Sequence, residues 1–156
     1  MIYDKINTPL GFLIVVSDGE ELCEIAFESE SSSMDLADLK KDPTTMGPIT
    51  SQIEAYLKGE LKDFHIPLRF SGTPFQNRVW SELVKIPFGE TRSYQDIAKA
   101  VGSPSASRAV GSACGKNPIP IVVPCHRVIA KNGGLGGYSG GLELKKELLK
   151  IEGLSF

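Results

Sequence analysis

Short apolar runs rich in β-branched residues alternate with turn signals at the start of the chain. The runs cover residues 2–6, 12–16 and 22–27. Asp18-Gly19, between the second and third runs, is a strong signal for a two-residue hairpin. The pattern therefore predicts three strands of an antiparallel sheet, with Cys23 packed on one face beside Ile25 and Phe27.

Apolar residues at helical spacing dominate the chain further on. This spacing predicts helices over residues 49–59, 74–85, 93–101, 104–115 and 141–152. Thr73-Pro74 supplies an N-cap and a first helical position, and Gly59 ends the first helix. In the last helix we expect Leu142 on the apolar face and Lys145 on the polar face. Residues 28–47 are acidic and serine-rich, which predicts a surface segment with at most one helical turn.

Two of these helices form a supersecondary pattern. Gly102-Ser103-Pro104 separates them, and Ser103 is placed to cap the second. Two helices joined by a three-residue turn that contains Gly are typical of a helix-turn-helix. With a boundary near residues 71–74, the sequence predicts an α+β protein. Residues 1–68 form a small α/β domain around an antiparallel sheet, and residues 73–156 form a mainly helical domain.

The charge is unevenly distributed along the chain. The net charge is −2, yet residues 1–68 hold 5 Lys/Arg against 13 Asp/Glu, and residues 69–156 hold 12 Lys/Arg against 6 Asp/Glu. A basic half of this kind favours a nucleic-acid surface on the second domain. The alternative is that both sets of charges are ordinary solvated surface.

Several classes of protein are disfavoured. No apolar run is long enough to span a bilayer, and the start of the chain does not look like a signal peptide. The three cysteines are widely spaced and odd in number, which disfavours a disulfide framework. Neither a Cys-x-x-Cys pair nor a histidine–cysteine group with zinc spacing occurs. We therefore expect no metal site and no cofactor.

A β-branched run, residues 119–123, leads into Pro124-Cys125-His126-Arg127. The pattern predicts a buried strand that delivers Cys125 to a turn. On a straight strand Cys125 and His126 would point to opposite faces, so they can cooperate only if the chain bends or a water connects them. From these residues alone, a catalytic nucleophile and an inert packed cysteine both remain open.

The wider context carries a resemblance to a known family. Asn117 to Ile129 and Gly137-Tyr138-Ser139-Gly140-Gly141, with Thr91-Arg92-Ser93-Tyr94 and Arg108-Ala109-Val110-Gly111 upstream, resemble the methylated-DNA–protein-cysteine methyltransferases, also called O6-alkylguanine-DNA alkyltransferases. The similarity covers roughly residues 73 to 153. It implies a ribonuclease H-like first domain and a winged-helix-like second domain. It also implies a single-turnover repair activity that moves an alkyl group from O6-alkylguanine, and from O4-methylthymine, to the protein's own cysteine.

The resemblance also assigns roles to residues. Cys125 would be the acceptor, His126 a base acting through a water, and Glu152 the group that orients the imidazole. The Tyr94 hydroxyl and the Ser139 N–H would stabilise the departing base, and Asn117 would brace the turn. From the residues alone, Tyr94 could equally be a packed aromatic. Other substrate or DNA contacts would come from Val128, Tyr138, Gly140, Pro120, Arg127 and Gln95.

Arg108 would fill the stack that a flipped-out nucleotide leaves, with its helix in the minor groove. A surface arginine on a phosphate is the alternative at this position. The expected partner is duplex DNA that carries O6-alkylguanine. We expect no membrane association, a monomer, and a location in the cytoplasm, or in the nucleus of a eukaryotic source.

Three other functions compete with this one. A non-enzymatic binder of DNA lesions would lack the cysteine of the Pro-Cys-His-Arg motif, which is present here. A plain helix-turn-helix regulator leaves that motif and Tyr138-Ser139-Gly140 unexplained. A cysteine hydrolase usually takes its histidine from a distant part of the chain, and only His65 is available.

Overall fold

The computed structural model describes residues 1–28, 35–138 and 140–156. It divides into two compact units, Met1–Arg69 with Pro118–Pro120, and Phe70–Asn117 with Ile121–Phe156. The strands are β1 (Ile2–Thr8), β2 (Gly11–Ser17), β3 (Leu22–Phe27), β4 (Lys40–Lys41), β5 (Arg92–Ser93) and β6 (Val128–Ile129). The helices are α1 (Pro43–Leu57), α2 (Pro74–Leu83), α3 (Tyr94–Ala100), α4 (Ser107–Gly115) and α5 (Leu142–Ile151). Two short 3-10 helices cover Leu36–Asp38 and Cys125–Arg127.

The first unit is built on a four-stranded sheet in the order β3-β2-β1-β4. The three predicted strands are confirmed, since β1, β2 and β3 pair antiparallel and β4 adds to β1 in parallel. The expected packing of Cys23 is wrong. Both faces of β3 are covered, with Leu22 and Ile25 alike buried, and Cys23 is the one partly exposed residue of this strand.

Helix α1 begins six residues before the predicted start. The Asp42 side chain caps it by accepting from the Thr45 N–H at 3.1 Å, and Pro43 takes the first helical position. A helix therefore covers residues 43–47, which the composition of residues 28–47 had predicted as surface chain. Gly59, with φ of 76°, follows the helix and confirms the predicted stop. Residues 29–34 of the expected surface segment lie outside the described residues.

The second unit contains the predicted helix pair, with a longer turn. Thr73 and Gln76 form a capping box at α2, which confirms the predicted start. Helix α4 begins at Ser107, so the connection spans residues 101–106 and Ser103 does not cap a helix at Pro104. Instead the Ser103 carbonyl accepts from the Ala106 N–H at 2.9 Å and closes a turn. The Trp80 indole donates to the Ala113 carbonyl at 2.9 Å, which ties α2 to α4.

The predicted strand before the cysteine is absent. Residues 119–123 form turns, because Pro118, Pro120 and Pro124 lack the N–H groups that a strand ladder needs. Ile121 is buried at φ of 76°, a conformation that a β-branched residue rarely adopts. Fully buried β-branched side chains therefore occur here in irregular chain.

Two residues of helix α5 lie in the opposite environment to the one expected. Leu142 is 47% exposed, whereas Lys145 is completely buried. Leu148 and Leu149 are buried as predicted. Over the described ranges, no helix is both long and apolar enough to cross a membrane.

Candidate active site

Cys125, His126 and Arg127 form one turn of 3-10 helix, which we call the cysteine turn. The Arg127 N–H donates to the Pro124 carbonyl at 2.9 Å and closes the turn. A 3-10 helix has three residues per turn, so successive side chains diverge by about 120°. The chain therefore bends at this motif, which is one of the two alternatives left open by the sequence, and the three buried side chains point in three directions.

Cys125 lies on the wall of a cavity of about 340 Å³. Its lining residues come from α3, α4, the cysteine turn and the loop before α5: Tyr94, Gly111, Cys114, Gly115, Cys125, Gly137 and Tyr138. The volume lies within the range of small-molecule sites. Gly136 keeps the loop close to this wall, because a Cβ there would stand 2.7 Å from the Tyr94 hydroxyl and the backbone has φ of 69°. The two tyrosines and the thiol thus line one cavity.

The Cys125 thiol is held mainly in its protonated form. Burial raises its pKa, while the Asn117 side chain, the Lys145 charge and the Tyr138 hydroxyl oppose that rise. Asn117 also donates to the Val123 carbonyl at 2.9 Å, which fixes the chain two residues before the cysteine. A thiol in this state needs a base at the moment of reaction.

Lys145 is a buried cation beside the cavity. Its ammonium donates to the carbonyls of Val128 at 2.7 Å, Leu135 at 2.5 Å and Gly137 at 3.0 Å. Those bonds join α5 to β6 and to the glycine-rich loop that carries Gly137. Burial lowers the pKa of Lys145, and the Cys125 and Cys114 thiols oppose this change.

His126 and Arg127 converge on one carboxylate. Nε2 of His126 lies 2.8 Å from Oε2 of Glu152, and the Arg127 guanidinium contacts both Glu152 oxygens. Burial raises the pKa of Glu152, but the bonds from His126, Arg127 and the Gly89 N–H outweigh it and bring it to about 2. Burial lowers the pKa of His126 despite this carboxylate. The carboxylate is therefore ionised, the imidazole is neutral, and Nε2 carries the proton while Nδ1 is the basic nitrogen.

The Tyr94 hydroxyl is a protonated donor. Burial raises its pKa, and the hydroxyl lies 3.5 Å from the Gly137 carbonyl. Tyr94 is the first residue of α3, where the Ser93 capping box sets its direction. It lines the cavity together with Gly111, Cys114 and Gly115 of α4, none of which carries a bulky side chain.

The remaining predicted residues lie in different environments. Arg108 is exposed near the start of α4 and Gln95 is half-buried on α3, both outside the cavity. Val128, Arg127 and Pro120 are buried, and Pro120 clusters with the first unit. Gly140 is half-buried, and Ser139 lies outside the described residues. Arg127 in particular points its guanidinium into the protein rather than toward solvent, because Glu152 and the Ile86 carbonyl bind it there.

Within the described ranges, no three His, Cys, Asp or Glu side chains gather in a way that could hold a metal ion.

Two family models together match nearly the whole chain. Residues 74–154 match the model described as 6-O-methylguanine DNA methyltransferase, DNA binding domain. Residues 1–70 match the ribonuclease-like domain of the same proteins. The chain belongs to the methylated-DNA–protein-cysteine methyltransferase family.

Relatives that carry the name of this family are similar to the chain over nearly their full length. The methyltransferase of Methanosarcina acetivorans is 45% identical over 98% of this chain and 99% of its own. The constitutive methyltransferase of Bacillus subtilis is 44% identical over 99% and 96%. The OGT of Mycobacterium tuberculosis, solved in complex with DNA, is 42% identical with a TM-score of 0.92 and covers 98% of this chain and 93% of that one.

Membership of the methyltransferase family confirms the predicted enzyme class and the α+β architecture. It excludes the plain helix-turn-helix regulator and the cysteine hydrolase as descriptions of the chain. Lys145 is the site residue that the sequence analysis missed. A signal for it exists, since Lys145 lies three and four residues before Leu148 and Leu149 and so shares their buried helix face.

Proposed function

We propose that this protein repairs duplex DNA by moving the alkyl group of O6-alkylguanine, and of O4-methylthymine, to Sγ of Cys125. The observation that carries the proposal is the placement of Cys125. It shares a cavity with Tyr94 and belongs to the same turn as a neutral, carboxylate-bound His126. Residues 73–156 act as the DNA-binding and transfer domain, and no cofactor takes part.

The transfer begins with a proton. Nδ1 of His126, acting through a water, removes the proton of the Cys125 thiol, and Glu152 stabilises the imidazolium that forms. The nearby Lys145 ammonium favours the thiolate by its charge. Thiolate is the soft nucleophile that displacement at an alkyl carbon requires, whereas a thiol is not.

Bond exchange follows at the alkyl carbon. A sulfur–carbon bond forms, the carbon–oxygen bond breaks, and the electron pair remains on the departing guanine. The Tyr94 hydroxyl donates to that base, and its raised pKa keeps the donor protonated. Main-chain groups of Cys125 and Val128 contact the amino edge, and the Ser139 N–H stays a prediction as a second donor. The product is a thioether, which gives up its alkyl group with difficulty, so each molecule reacts once.

The exposed side of α4 suits the DNA partner. Its solvent-facing residues are small or basic, namely Arg108, Ala109, Ser112, Gly115 and Lys116. Small residues permit close approach to a groove, and basic ones bind phosphates. Because the alkylated atom is inaccessible inside a stacked duplex, the nucleotide must flip out, and Arg108 fills its place from the minor groove.

The protein acts as a monomer in a reducing compartment that contains DNA, the cytoplasm or a eukaryotic nucleus. The three cysteines Cys23, Cys114 and Cys125 are free thiols, which suits such a compartment.

Mass spectrometry tests the proposal. We expect the protein to gain the mass of one CH₂ after incubation with methylated duplex DNA, and peptide mapping to locate it on Cys125. Cys114 is the matched control, since it lines the same cavity but burial raises its pKa to about 12. Methylation of Cys114 or Cys23, or full activity of Cys125→Ala, would refute the assignment.

A further inference from the structure

Arg127 is a buried cation whose hydrogen bonds all stay inside the protein. Its side chain is 7% exposed. Nε and Nη2 donate to Glu152 at 2.8 and 2.9 Å, and Nη1 donates to the Ile86 carbonyl at 2.6 Å. The guanidinium thus joins the cysteine turn to the end of α5 and to the chain after α2. This geometry does not suit the DNA contact that the family resemblance suggested for Arg127.

The surroundings of the Glu152 carboxylate disfavour a negative charge unless it is paired. It is the C-cap of α5, where the helix dipole is negative, and its side chain is completely buried. Oε1 accepts from Arg127 and from the Gly89 N–H at 2.9 Å, and Oε2 accepts from Arg127 and His126. A buried carboxylate at a helix C-terminus needs a partner of opposite charge. The Arg127 guanidinium is in direct contact with both oxygens.

We propose that Arg127 is a positioning residue for alkyl transfer: its guanidinium neutralises Glu152 and fixes it against Nε2 of His126, which keeps the imidazole available as a base. The inference rests on the proposed function, because it needs His126 to serve Cys125. Arg127 itself does not line the cavity that holds the thiol.

The charges around His126 determine the direction in which loss of Arg127 should shift its protonation. Burial lowers its pKa, the Glu152 carboxylate raises it, and the charges of Arg127 and Lys145 lower it. Without Arg127, the imidazole would face a carboxylate that no guanidinium balances. The His126–Glu152 pair would then take up a proton at higher pH. A protonated His126 cannot accept the Cys125 proton.

Single-turnover transfer rates against pH test this charge effect. In Arg127→Met we expect the acid limb of the profile to move up by about one pH unit, so that the rate on that limb falls about tenfold. Arg127→Lys keeps the charge, so its acid limb should stay close to that of the unaltered protein. A lower rate at every pH in this variant would reflect the lost two-point contact with Glu152.

A second pair of variants isolates the guanidinium even where Arg127→Met does not fold. Glu152→Gln retains a carbonyl that accepts from Nε2 but leaves the Arg127 charge unbalanced, so its acid limb should move to lower pH. Arg127→Met combined with Glu152→Gln removes both charges. The acid limb of this double variant should lie about one pH unit higher than the acid limb of Glu152→Gln alone.

Proton uptake by His126 can be followed without any reaction. NMR of the imidazole C–H signals in DNA-free protein should show His126 titrating at higher pH in Arg127→Met. The protein has two histidines, and the exposed His65 provides an internal reference signal.

The inference is overturned if folded Arg127→Met is slower by the same factor at all pH values, or if it shows no loss. It is equally overturned if the double variant and Glu152→Gln share one acid limb. Failure of the unaltered protein to methylate Cys125 would instead remove the proposed function, and the NMR titration would still report the charge effect.

Discussion

The second unit uses its basic residues in two different environments. Arg108 on α4 and Lys116 at its C-cap are exposed, whereas Arg127 in the cysteine turn and Lys145 on α5 are buried. An exposed cation interacts through solvent, so salt screens it, while a buried one acts at short range on specific atoms. We therefore propose that the exposed basic side chains serve DNA binding and that the buried ones serve the thiol chemistry. We expect the buried set to respond to pH and packing, and the exposed set to ionic strength.

Removal of the buried ammonium should have the largest effect. Lys145→Met keeps the side-chain volume but leaves the carbonyls of Val128, Leu135 and Gly137 without that donor. Because bonds to a charged donor are worth about 1.5–3 kcal/mol each, we expect the free energy of unfolding to fall by at least about 3 kcal/mol in urea titrations. The rate of Cys125 alkylation by iodoacetamide should fall as well, since the nearby positive charge is lost.

Lys146→Met is the matched control for this change. Lys146 is the next residue of α5, is half-buried, and lies 3.6 Å from Glu143. Such surface pairs contribute little, so stability and thiol reactivity should stay within about 0.5 kcal/mol and about twofold of the unaltered protein. Similar losses in both variants would mean that burial does not distinguish the two lysines.

Acid should have the next largest effect, because it destabilises the buried contacts among His126, Arg127 and Glu152. His126 has a lowered pKa in the fold, so the unfolded chain takes up a proton first and stability falls once pH drops below the ordinary value of 6.5. Glu152 has a pKa of about 2 against an ordinary 4.5, so its contribution is complete above pH 4.5 and disappears as pH falls toward 2. We expect this carboxylate to account for about 3 kcal/mol in unfolding measured between these limits.

Glu147→Gln gives the comparison for that measurement. Glu147 is an exposed carboxylate on the same helix. Its loss should leave the dependence of unfolding free energy on pH unchanged, whereas Glu152→Gln should flatten it below pH 4.5. An equal dependence in the two variants would contradict a specific role for the buried pair.

The sequence could predict most of the fold but not the buried charges. Asp18-Gly19 and Thr73-Pro74 act through local chemistry, so the hairpin and the start of α2 follow from the residues themselves. Lys145 was assigned to solvent because lysine is rarely buried, although its spacing to Leu148 placed it on the packed face. The turns over residues 119–123 were taken for a strand because β-branched composition was weighed above three prolines that cannot donate to a ladder. Tertiary partners, which no local pattern shows, decide such positions.

Each exposed basic residue should make a smaller contribution, which appears in the salt dependence of DNA binding. Affinity for duplex DNA should fall with salt, with a log–log slope of about −0.9 for each phosphate contact. Lys116→Ala should reduce the magnitude of that slope by about one contact, as measured by fluorescence anisotropy at several salt concentrations. Lys58→Ala, an exposed lysine of the acidic first unit, should leave the slope unchanged. Equal slopes for Lys116→Ala and the unaltered protein would remove Lys116 from the DNA surface.

The most direct test of the separation between DNA handling and thiol chemistry compares the rates of Arg108→Ala on two substrates. Arg108 is exposed on α4, outside the cavity that holds Cys125, and is proposed to fill the stack left by a flipped nucleotide. Unstacking costs a few kcal/mol, so single-turnover repair of duplex DNA should slow by about tenfold or more. Benzylguanine as a free base needs no flipping, and its rate should stay close to that of the unaltered protein. Cys125→Ala should react with neither substrate but still bind DNA. Equal losses on duplex and free base in Arg108→Ala would show that the exposed arginine supports the cavity, and would contradict the separation of DNA handling from thiol chemistry.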